Sequence, residues 1–383
     1  MNPSSCKSGW TCLIQYNNMK IIVVSAVNLV VGGTLTILKD CLSYLSELDK
    51  EEFKIYALVH DKSLVGIQGV EYIELPWPKK NWINRLWCEY VSMKRISEKL
   101  GPVYLWLSLH DTTPNVKAER RAVYCHNPFP FYKWRLREIY LCPKIVLFSL
   151  FSYFIYRFNI YKNDYVIMQQ RWIREEFARI FGVDRKKMLV ALPVKQDFSV
   201  EPEYVDVDRY TFFYASSANS HKNFEVLCEA ADLLEKEVGK GVFNVIITVN
   251  GNENKYAGWL KSKWGNVDSI EFKGFMNKSQ LYGHYNAADC FVFPSKVETW
   301  GLPVTEFAFT GKPMLVADTL YAHETAASSK RTAFFNPDDP EELKKKMKSL
   351  LDGDSSFLKE IPQVAIEAPV SRSWKEMFDY LLF

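Results

Sequence analysis

The sequence predicts an α/β protein built from two doubly wound, Rossmann-like domains. Three observations carry that prediction. Short apolar runs alternate with runs of helical period from Lys20 to Leu351, the pattern of parallel sheets covered on both faces. The alternation begins afresh near Tyr210, after Pro193 punctuates a final apolar run. The chain has 383 residues, enough for two domains of ordinary size that each bury a core.

The elements follow in order. A first strand is expected over 20–26, then a loop holding Gly32-Gly33-Thr34 and a helix over Leu35–Leu48. Further strands are read at 54–59, 71–75, 103–108, 122–125 and 166–168, followed by a helix over 171–181 that stops at Gly182. Val190–Leu192 ends the first domain. In the second, a strand over 210–215 leads through Ser220-His221-Lys222-Asn223 into a helix over 224–238. A strand over 243–249 stops at Asn250-Gly251, and another over 271–273 precedes a helix over 279–287. Helices over 341–351 and 374–383 close the chain. The expected boundaries are a flexible extension at 1–18, domains at 19–192 and 193–368, and a final helix at 369–383.

Composition narrows the function classes. A hydrophobic fraction of 48% and a charged fraction of 24% are those of a soluble globular protein. The net charge of +3 is too small to argue for nucleic acid as a partner. Eight cysteines are scattered with no C-x-x-C pair, so a reducing, cytoplasmic setting is expected and no metal cluster. Residues 1–18 lack the apolar core of a signal peptide.

The most informative stretch is Lys296–Pro313, K-V-E-T-W-G-L-P-V-T-E-F-A-F-T-G-K-P. It lies between the apolar strands Asp289–Phe293, which ends at Pro294-Ser295, and Met314–Asp318. In an open α/β sheet, ligands sit at the carboxyl ends of strands, where such loops converge. Gly301 allows a backbone geometry or close approach that a side chain would block. Pro303 suits the first turn of a helix, and Gly311 and Pro313 end it. A helix start after a glycine turn offers free N–H groups to an anion. Glu298 and Glu306 are too far apart to be helical neighbours, since only i+3 and i+4 pairs face each other. Glu298 is therefore assigned to the loop and Glu306 to the helix. Two acids beside an anion site would repel phosphate, so contact with sugar hydroxyls is expected of them.

From Ile270 to Asp318 the sequence resembles the donor-binding signature of retaining nucleotide-sugar glycosyltransferases of family 4. The carriers are Lys273-Gly274-Phe275, Tyr282–Asp289, the Pro294-Ser295 strand end, the Glu-x7-Glu element and Gly311-x-Pro313. The likeness extends upstream to about Thr211 and downstream to Pro340, and is much looser in the amino-terminal half. It implies a GT-B fold, with the two domains facing a central cleft and the final helix crossing back to the first.

The resemblance also implies roles. Lys222 stands at the position of the pyrophosphate lysine, where positive charge can stabilise a leaving diphosphate without a metal. Glu298 would contact the donor sugar, with the Thr299-Trp300-Gly301-Leu302 backbone near the phosphates. Glu306 would accept from the ribose diol, which suits a two-oxygen carboxylate. Lys273, Gly274 and Phe275 would frame the base, with Asn250 and Gly251 nearby. In the first domain, His126 would face the sugar and Gly33 would lie in the first glycine loop. Glu298, Lys222 and His126 are thus the candidate catalytic residues. The family's arginine, five residues before the lysine, is replaced by Ser217, and Arg171 is one candidate substitute. The family's Asn-Gly-Val-Asp segment is altered to Pro193-Val194-Lys195-Gln196-Asp197-Phe198.

The implied activity is transfer of a hexosyl group from a nucleoside-diphosphate sugar to a hydroxyl acceptor, a glycan or lipid-linked sugar, with no cofactor. Surface polysaccharide or lipid-linked oligosaccharide synthesis is the implied setting. Two rivals stay open: a sugar-nucleotide epimerase or hydrolase on the same fold, and a non-catalytic sugar-nucleotide-binding partner protein. Residues 140–161 also leave two readings, a buried helix or an aromatic-rich surface helix meeting lipid. The 12 uncharged residues from Ile145 to Tyr156 are too few to span a bilayer. From Lys117 to Arg179 there are 12 Lys and Arg against five Asp and Glu, an excess suited to an anionic membrane surface or a phosphate-bearing acceptor. Peripheral contact with the inner face of the plasma membrane is the corresponding expectation.

Overall fold

The structure is a computed structural model that describes residues 19–193 and 200–383. The expected extension at 1–18 and the altered segment at 194–198 lie outside the described residues.

The chain opens with β1 (Lys20–Ala26), α1 (Gly32–Ser46), β2 (Phe53–Val59) and β3 (Glu71–Glu74). A helical stretch follows as α2 (Trp82–Trp87), a π turn at Cys88–Ser92 and α3 (Met93–Leu100). Then come β4 (Val103–Ser108), β5 (Arg120–Tyr124), α4 (Glu138–Leu141) and α5 (Pro143–Arg157). The first half ends with β6 (Tyr165–Met168), α6 (Arg171–Phe181) and β7 (Met188–Ala191).

The second half holds β8 (Tyr210–Tyr214), α7 (Phe224–Val238), β9 (Phe243–Ile247), α8 (Lys255–Trp264) and β10 (Ile270–Phe272). These are followed by α9 (Lys278–Ala287), β11 (Cys290–Phe293), α10 (Leu302–Ala308), β12 (Met314–Ala317) and α11 (Ala322–Thr325). The chain closes with β13 (Thr332–Phe335), α12 (Pro340–Leu351), β14 (Val370–Ser371) and α13 (Trp374–Leu382).

Among the described residues there are two sheets. The first has eight strands in the order β14-β7-β6-β5-β4-β1-β2-β3, and the second has six in the order β10-β9-β8-β11-β12-β13. All strand pairings in both are parallel. The chemistry of β1 shows why. Its run Ile22-Val23-Val24 is β-branched, and successive side chains point to opposite faces. Ile22, Val24 and Ala26 join one core with Leu38, Cys41 and Leu42 of α1, while Val23 joins another with Cys88, Met93 and Trp106. A strand buried on both faces reads as a continuous apolar run.

Contacts divide the described chain into two compact units. One comprises residues up to His126, Phe154–Pro193 and Glu367–Phe383; the other comprises Asn127–Tyr153 and Val194–Ile366. Residues 127–153 thus group with the second sheet although they precede β6, and a single division near 192 does not describe this path. At the other end, β14 adds an edge strand beside β7, with Val190 N–H donating to Pro369 O at 3.1 Å. Helix α13 then buries Met377, Phe378, Leu381 and Leu382 in the core of the first unit. The Tyr104 hydroxyl donates to Leu382 O at 2.6 Å.

One expectation is corrected, and one open alternative is narrowed. Gly32 and Gly33 lie in the first turn of α1, which ends at Ser46, and not in a loop before a helix at Leu35. Gly32 takes φ +65°, a left-handed value that glycine tolerates, so the chain turns into the helix at that residue. Helix α5 presents one buried face, with Val146, Ser152 and Tyr156, and leaves Leu147, Leu150 and Phe151 exposed, so it is not a wholly buried helix.

Phe378 is 1% exposed and stacks on Tyr44 with ring centroids 5.3 Å apart. Phe378→Ala is expected to destabilise the protein by about 3–5 kcal/mol in urea titration. A loss below about 1 kcal/mol would mean that α13 does not anchor the first unit's core.

Candidate functional site

The strand order of the second sheet reverses between β8 and β11. From β8 the chain proceeds outward through β9 to β10, whereas β11 starts the other wing through β12 to β13. Loops leaving the carboxyl ends of strands at such a reversal diverge and leave a crevice, the usual ligand position in an open parallel sheet. The loop after β8 carries Lys222, and the loop after β11 carries Glu298. Their side chains meet, with Lys222 Nζ donating to Glu298 Oε1 at 2.6 Å. They are 15% and 12% exposed, so the pair is shielded enough to matter and open enough to be reached.

Local geometry aims both residues. A 3-10 turn at Ser220–Lys222 ends at Asn223, whose left-handed backbone (φ 55°, ψ 40°) starts α7. Asparagine tolerates that conformation better than other non-glycine residues. Its buried side chain donates to Pro294 O at 3.1 Å and to Pro337 O at 2.7 Å, fastening the ends of β11 and β13 to the start of α7. The Lys222 carbonyl accepts from the Tyr214 hydroxyl at 2.8 Å. On the other side, Lys296 N–H donates to His221 O at 2.8 Å, so the two loops are joined by backbone two residues before Glu298.

Glu298-Thr299-Trp300 then turns at Gly301, which takes φ +93° and heads α10. A Cβ there would lie 3.4 Å from Thr325 and 3.5 Å from Phe293 and Tyr321. The turn is pinned by the Trp300 indole donating to Thr305 Oγ1 at 2.9 Å and by the Thr325 hydroxyl donating to Trp300 O. Leu302 is the first residue of α10, and Glu306 sits within it. Glu306 is buried, and the Tyr285 hydroxyl donates to its Oε2 at 3.3 Å. Burial raises its pKa above the usual glutamate range, and the Tyr285 bond offsets this only in part.

The second group lies after β9 and β10. Lys273 N–H continues the ladder to Ile247 O at 3.0 Å, and its ammonium pairs with Glu271 at 2.8 Å. Gly274 takes φ +83°, and a Cβ on it would sit 3.2 Å from the Asn250 Cβ, so glycine permits this close approach. Asn250 and Gly251 N–H groups donate to Glu253 at 2.7 and 3.0 Å. Phe275 is 91% exposed beside them, an apolar ring held in water.

Two of the expected residues belong to the first unit. Gly33 lies in α1, with open space where a Cβ would stand. His126 follows β5, stacks on Tyr124 at 4.4 Å, and receives its position from its own N–H donating to Asp111 Oδ1 at 2.5 Å. His126 is half-buried, and loss of solvent around its ring lowers its pKa against the opposing charge of Asp111. Ser217 is exposed, and its hydroxyl accepts from Asn219 Nδ2 at 2.9 Å. Arg171 heads α6 in the first unit.

Sequence reasoning missed a charged cluster beside Lys222. Glu225, in the first turn of α7, is buried yet takes hydrogen bonds from Arg137 and from the Tyr256 hydroxyl, with Arg135 at 3.6 Å. Arg135 also bonds Asp338, to which Lys296 donates at 2.8 Å. The Ser220 and Tyr132 hydroxyls donate to Glu138 at 3.1 and 2.7 Å. A buried acid in the first turn is a favourable partner of a helix start, and Glu225 three residues past Lys222 was the available signal.

Residues 196–367 match the family model described as Glycosyl transferases group 1. The match covers a little under half of the chain. The matched segment holds every residue expected in the site except Gly33 and His126. Over 262 residues the chain is 23% identical to the O-antigen chain mannosyltransferase RfbU of Salmonella typhimurium, covering 67% of each chain. It is 26% identical over 271 residues to the serotype-specific mannosyltransferase WbdA of Escherichia coli, covering 69% of this chain and 31% of that one. Among solved structures, a glycosyltransferase from Rickettsia africae superposes with TM-score 0.60 at 15% identity, over 88% of this chain and 89% of that one. Anabaena HepE in complex with UDP-glucose gives TM-score 0.58 at 11% identity, over 88% and 92%. At these identities the structural likeness is one of fold, the GT-B fold of two parallel-sheet α/β domains. The domain match and the relatives together support a GT-B glycosyltransferase.

Two outcomes are expected of the candidate site. In a double-mutant cycle of Lys222→Met and Glu298→Gln, unfolding free energies should couple by about 1–3 kcal/mol, and additive effects would mean that the pair is incidental. The raised pKa of Glu306 means that the folded chain holds that proton more tightly than the unfolded one. Stability from this group is therefore greatest below the unfolded glutamate pKa and falls as pH rises through the folded value. Glu306→Gln should remove that fall, leaving the protein more stable than the wild type at neutral pH in thermal melts.

Proposed function

We propose that the protein is a retaining, metal-independent glycosyltransferase that moves a hexosyl group from a nucleoside-diphosphate sugar to a hydroxyl of a glycan or lipid-linked acceptor. Surface polysaccharide synthesis is the proposed setting. The observation that carries the reading is the Lys222–Glu298 pair, 2.6 Å apart at the point where the sheet order reverses. A cation held by a carboxylate is poised to exchange that partner for a diphosphate, which bears more charge. The exchange leaves Glu298 free to accept from sugar hydroxyls. Glu306 takes the ribose diol, and Gly274, Phe275, Asn250 and Gly251 bound the base.

In the proposed step the bond from the anomeric carbon to the diphosphate oxygen breaks, and its electron pair leaves with the diphosphate. Lys222 and the Thr299–Leu302 backbone N–H groups stabilise that charge. The acceptor oxygen bonds the anomeric carbon from the same face, and its proton passes to the departing phosphate. His126 is assigned to the sugar by family position. Relatives described as O-antigen and serotype-specific mannosyltransferases, and a fold neighbour crystallised with UDP-glucose, support a nucleotide-activated hexose donor.

A thermal-shift screen over uridine, guanosine and adenosine diphosphates and their hexose conjugates tests the donor, because a ligand that binds only the folded state raises its melting temperature. Lys222→Ala and Glu306→Ala are each expected to weaken the best nucleotide by about tenfold or more, a loss of one or two charge-assisted hydrogen bonds. Unchanged affinity in both variants would overturn the site. Product anomeric configuration by NMR tests retention, and a trapped covalent sugar adduct on an acidic residue would sink the same-face step. Donor turnover to free or epimerised sugar without an acceptor would favour an epimerase or hydrolase instead. Binding with no turnover across acceptors would favour a non-catalytic role.

A further inference from the structure

The helical stretch from Trp82 to Leu100 in the first unit begins with its apolar side chains facing outward. Trp82 is 52% exposed, Ile83 79%, Leu86 46% and Trp87 57%. The positions 83, 86 and 87 follow the i, i+3, i+4 spacing of one helix face. Tyr90, half-buried in the π turn that follows, meets Phe158 edge-on, with ring centroids 4.8 Å apart. Phe158 is itself 56% exposed and lies just past the end of α5, with Tyr161 at 53%. Two segments distant in sequence therefore combine into one exposed aromatic and aliphatic surface, larger than the scattered apolar residues of an ordinary monomer surface.

Within these two segments the exposed charges have one sign. Lys79 and Lys80 precede α2, and Arg157 and Lys162 flank Phe158, all exposed. Between Trp77 and Ile96 the sole acid is Glu89, which is buried and paired with Arg85 at 2.9 Å. Between Phe154 and Asn163 there is none. The nearby amides are engaged locally: Asn81 Oδ1 accepts from Asn84 N–H at 2.9 Å, and Asn84 Nδ2 donates to Trp77 O at 3.3 Å. A carbohydrate platform needs acceptors aimed at hydroxyls beside its rings, and this surface lacks acidic ones. Exposed Trp, Tyr and Phe with Ile and Leu, bordered by lysine and arginine, instead match the boundary between lipid headgroups and acyl chains.

We infer that the exposed face of α2, together with Phe158 and Tyr161, is the surface by which this protein lies on an anionic membrane. The aromatic rings enter the interface while the four flanking cations meet lipid headgroups. Among the described residues no helix is long and apolar enough to cross a membrane, so the contact is peripheral. It stands independently of the donor assignment, since no residue of the Lys222–Glu298 site takes part.

Co-sedimentation of the full chain tests it, with vesicles of phosphatidylcholine alone and of equal phosphatidylcholine and phosphatidylglycerol. Binding is expected to the second and not to the first, and to weaken as salt rises. The double variant Trp82→Ser/Trp87→Ser should partition at least about tenfold more weakly, two large interfacial side chains being lost. Lys79→Gln/Lys80→Gln, a surface change that leaves the fold intact, should lose about fivefold per lysine. Thermal shift by nucleotide should be unchanged in both variants, which separates this result from a failure of the donor site. Vesicle binding unaltered in both variants, equal binding to neutral vesicles, or binding competed by soluble glycans would each overturn the inference.

Discussion

The parallel pairing of β8 with β11 is the constraint on which the candidate site depends. It places Cys290 opposite Phe212 and Phe291 opposite Phe213, so strands that start some eighty residues apart end side by side. Everything chemical follows from where those ends point. The loop after β8 delivers an ammonium, the loop after β11 delivers a carboxylate, and the two meet although 76 residues separate them. Because the order of strands turns back at this pairing, the chain leaves β8 and β11 toward opposite wings of the sheet. Interleaved rings, such as Phe291 stacked on Phe307 at 4.9 Å and Tyr214 edge-on to Phe293 at 5.6 Å, hold the pairing in register from below.

Rigidity around the site comes from satisfied backbone rather than from long side chains. Asn223 ties three loops with one amide, Lys296 N–H joins the loops that follow β8 and β11, and Tyr321 holds Ser295 O at 2.7 Å. The ion pair sits on that frame with few other anchors of its own. A frame fixed by main-chain bonds with a movable charge pair above it suits a ligand that must enter charged and leave charged. Glu306 is a contrasting case. Its carboxyl is buried in the helix that the glycine turn starts, and ionising it there is costly.

Much of the candidate site was legible because its signals are short-ranged. Pro294-Ser295 marks a strand end, Gly301 and Pro303 mark a helix start, and the spacing of Glu298 and Glu306 separates loop from helix. Each of these depends on backbone chemistry within a few residues. What escaped depends on contacts across the chain. No local pattern says that Arg135 and Arg137 will reach Glu225, and the two-residue strand β14 is too short to carry a period. The turn at Gly32-Gly33 was read as a loop because glycine disfavours helices, whereas a positive φ at Gly32 lets the chain enter α1 directly. The outward face of α2 was invisible for a different reason. Periodicity shows that a helix has an apolar face but not whether protein covers it.

The path of residues 127–153 has a consequence for how such chains can be recombined. The polypeptide passes from one compact unit to the other at 126, returns at 153, crosses again at 193 and comes back at 366. A fragment beginning at β8 would carry buried Glu225 without Arg137, its partner 88 residues upstream. A chimaera cut at the apparent linker would likewise graft a foreign strap onto a carboxylate that needs two arginines in fixed places. The unit that evolution can exchange intact is therefore discontinuous in the gene: one long carboxy-terminal piece and one short insert from the middle of the amino-terminal half must travel together.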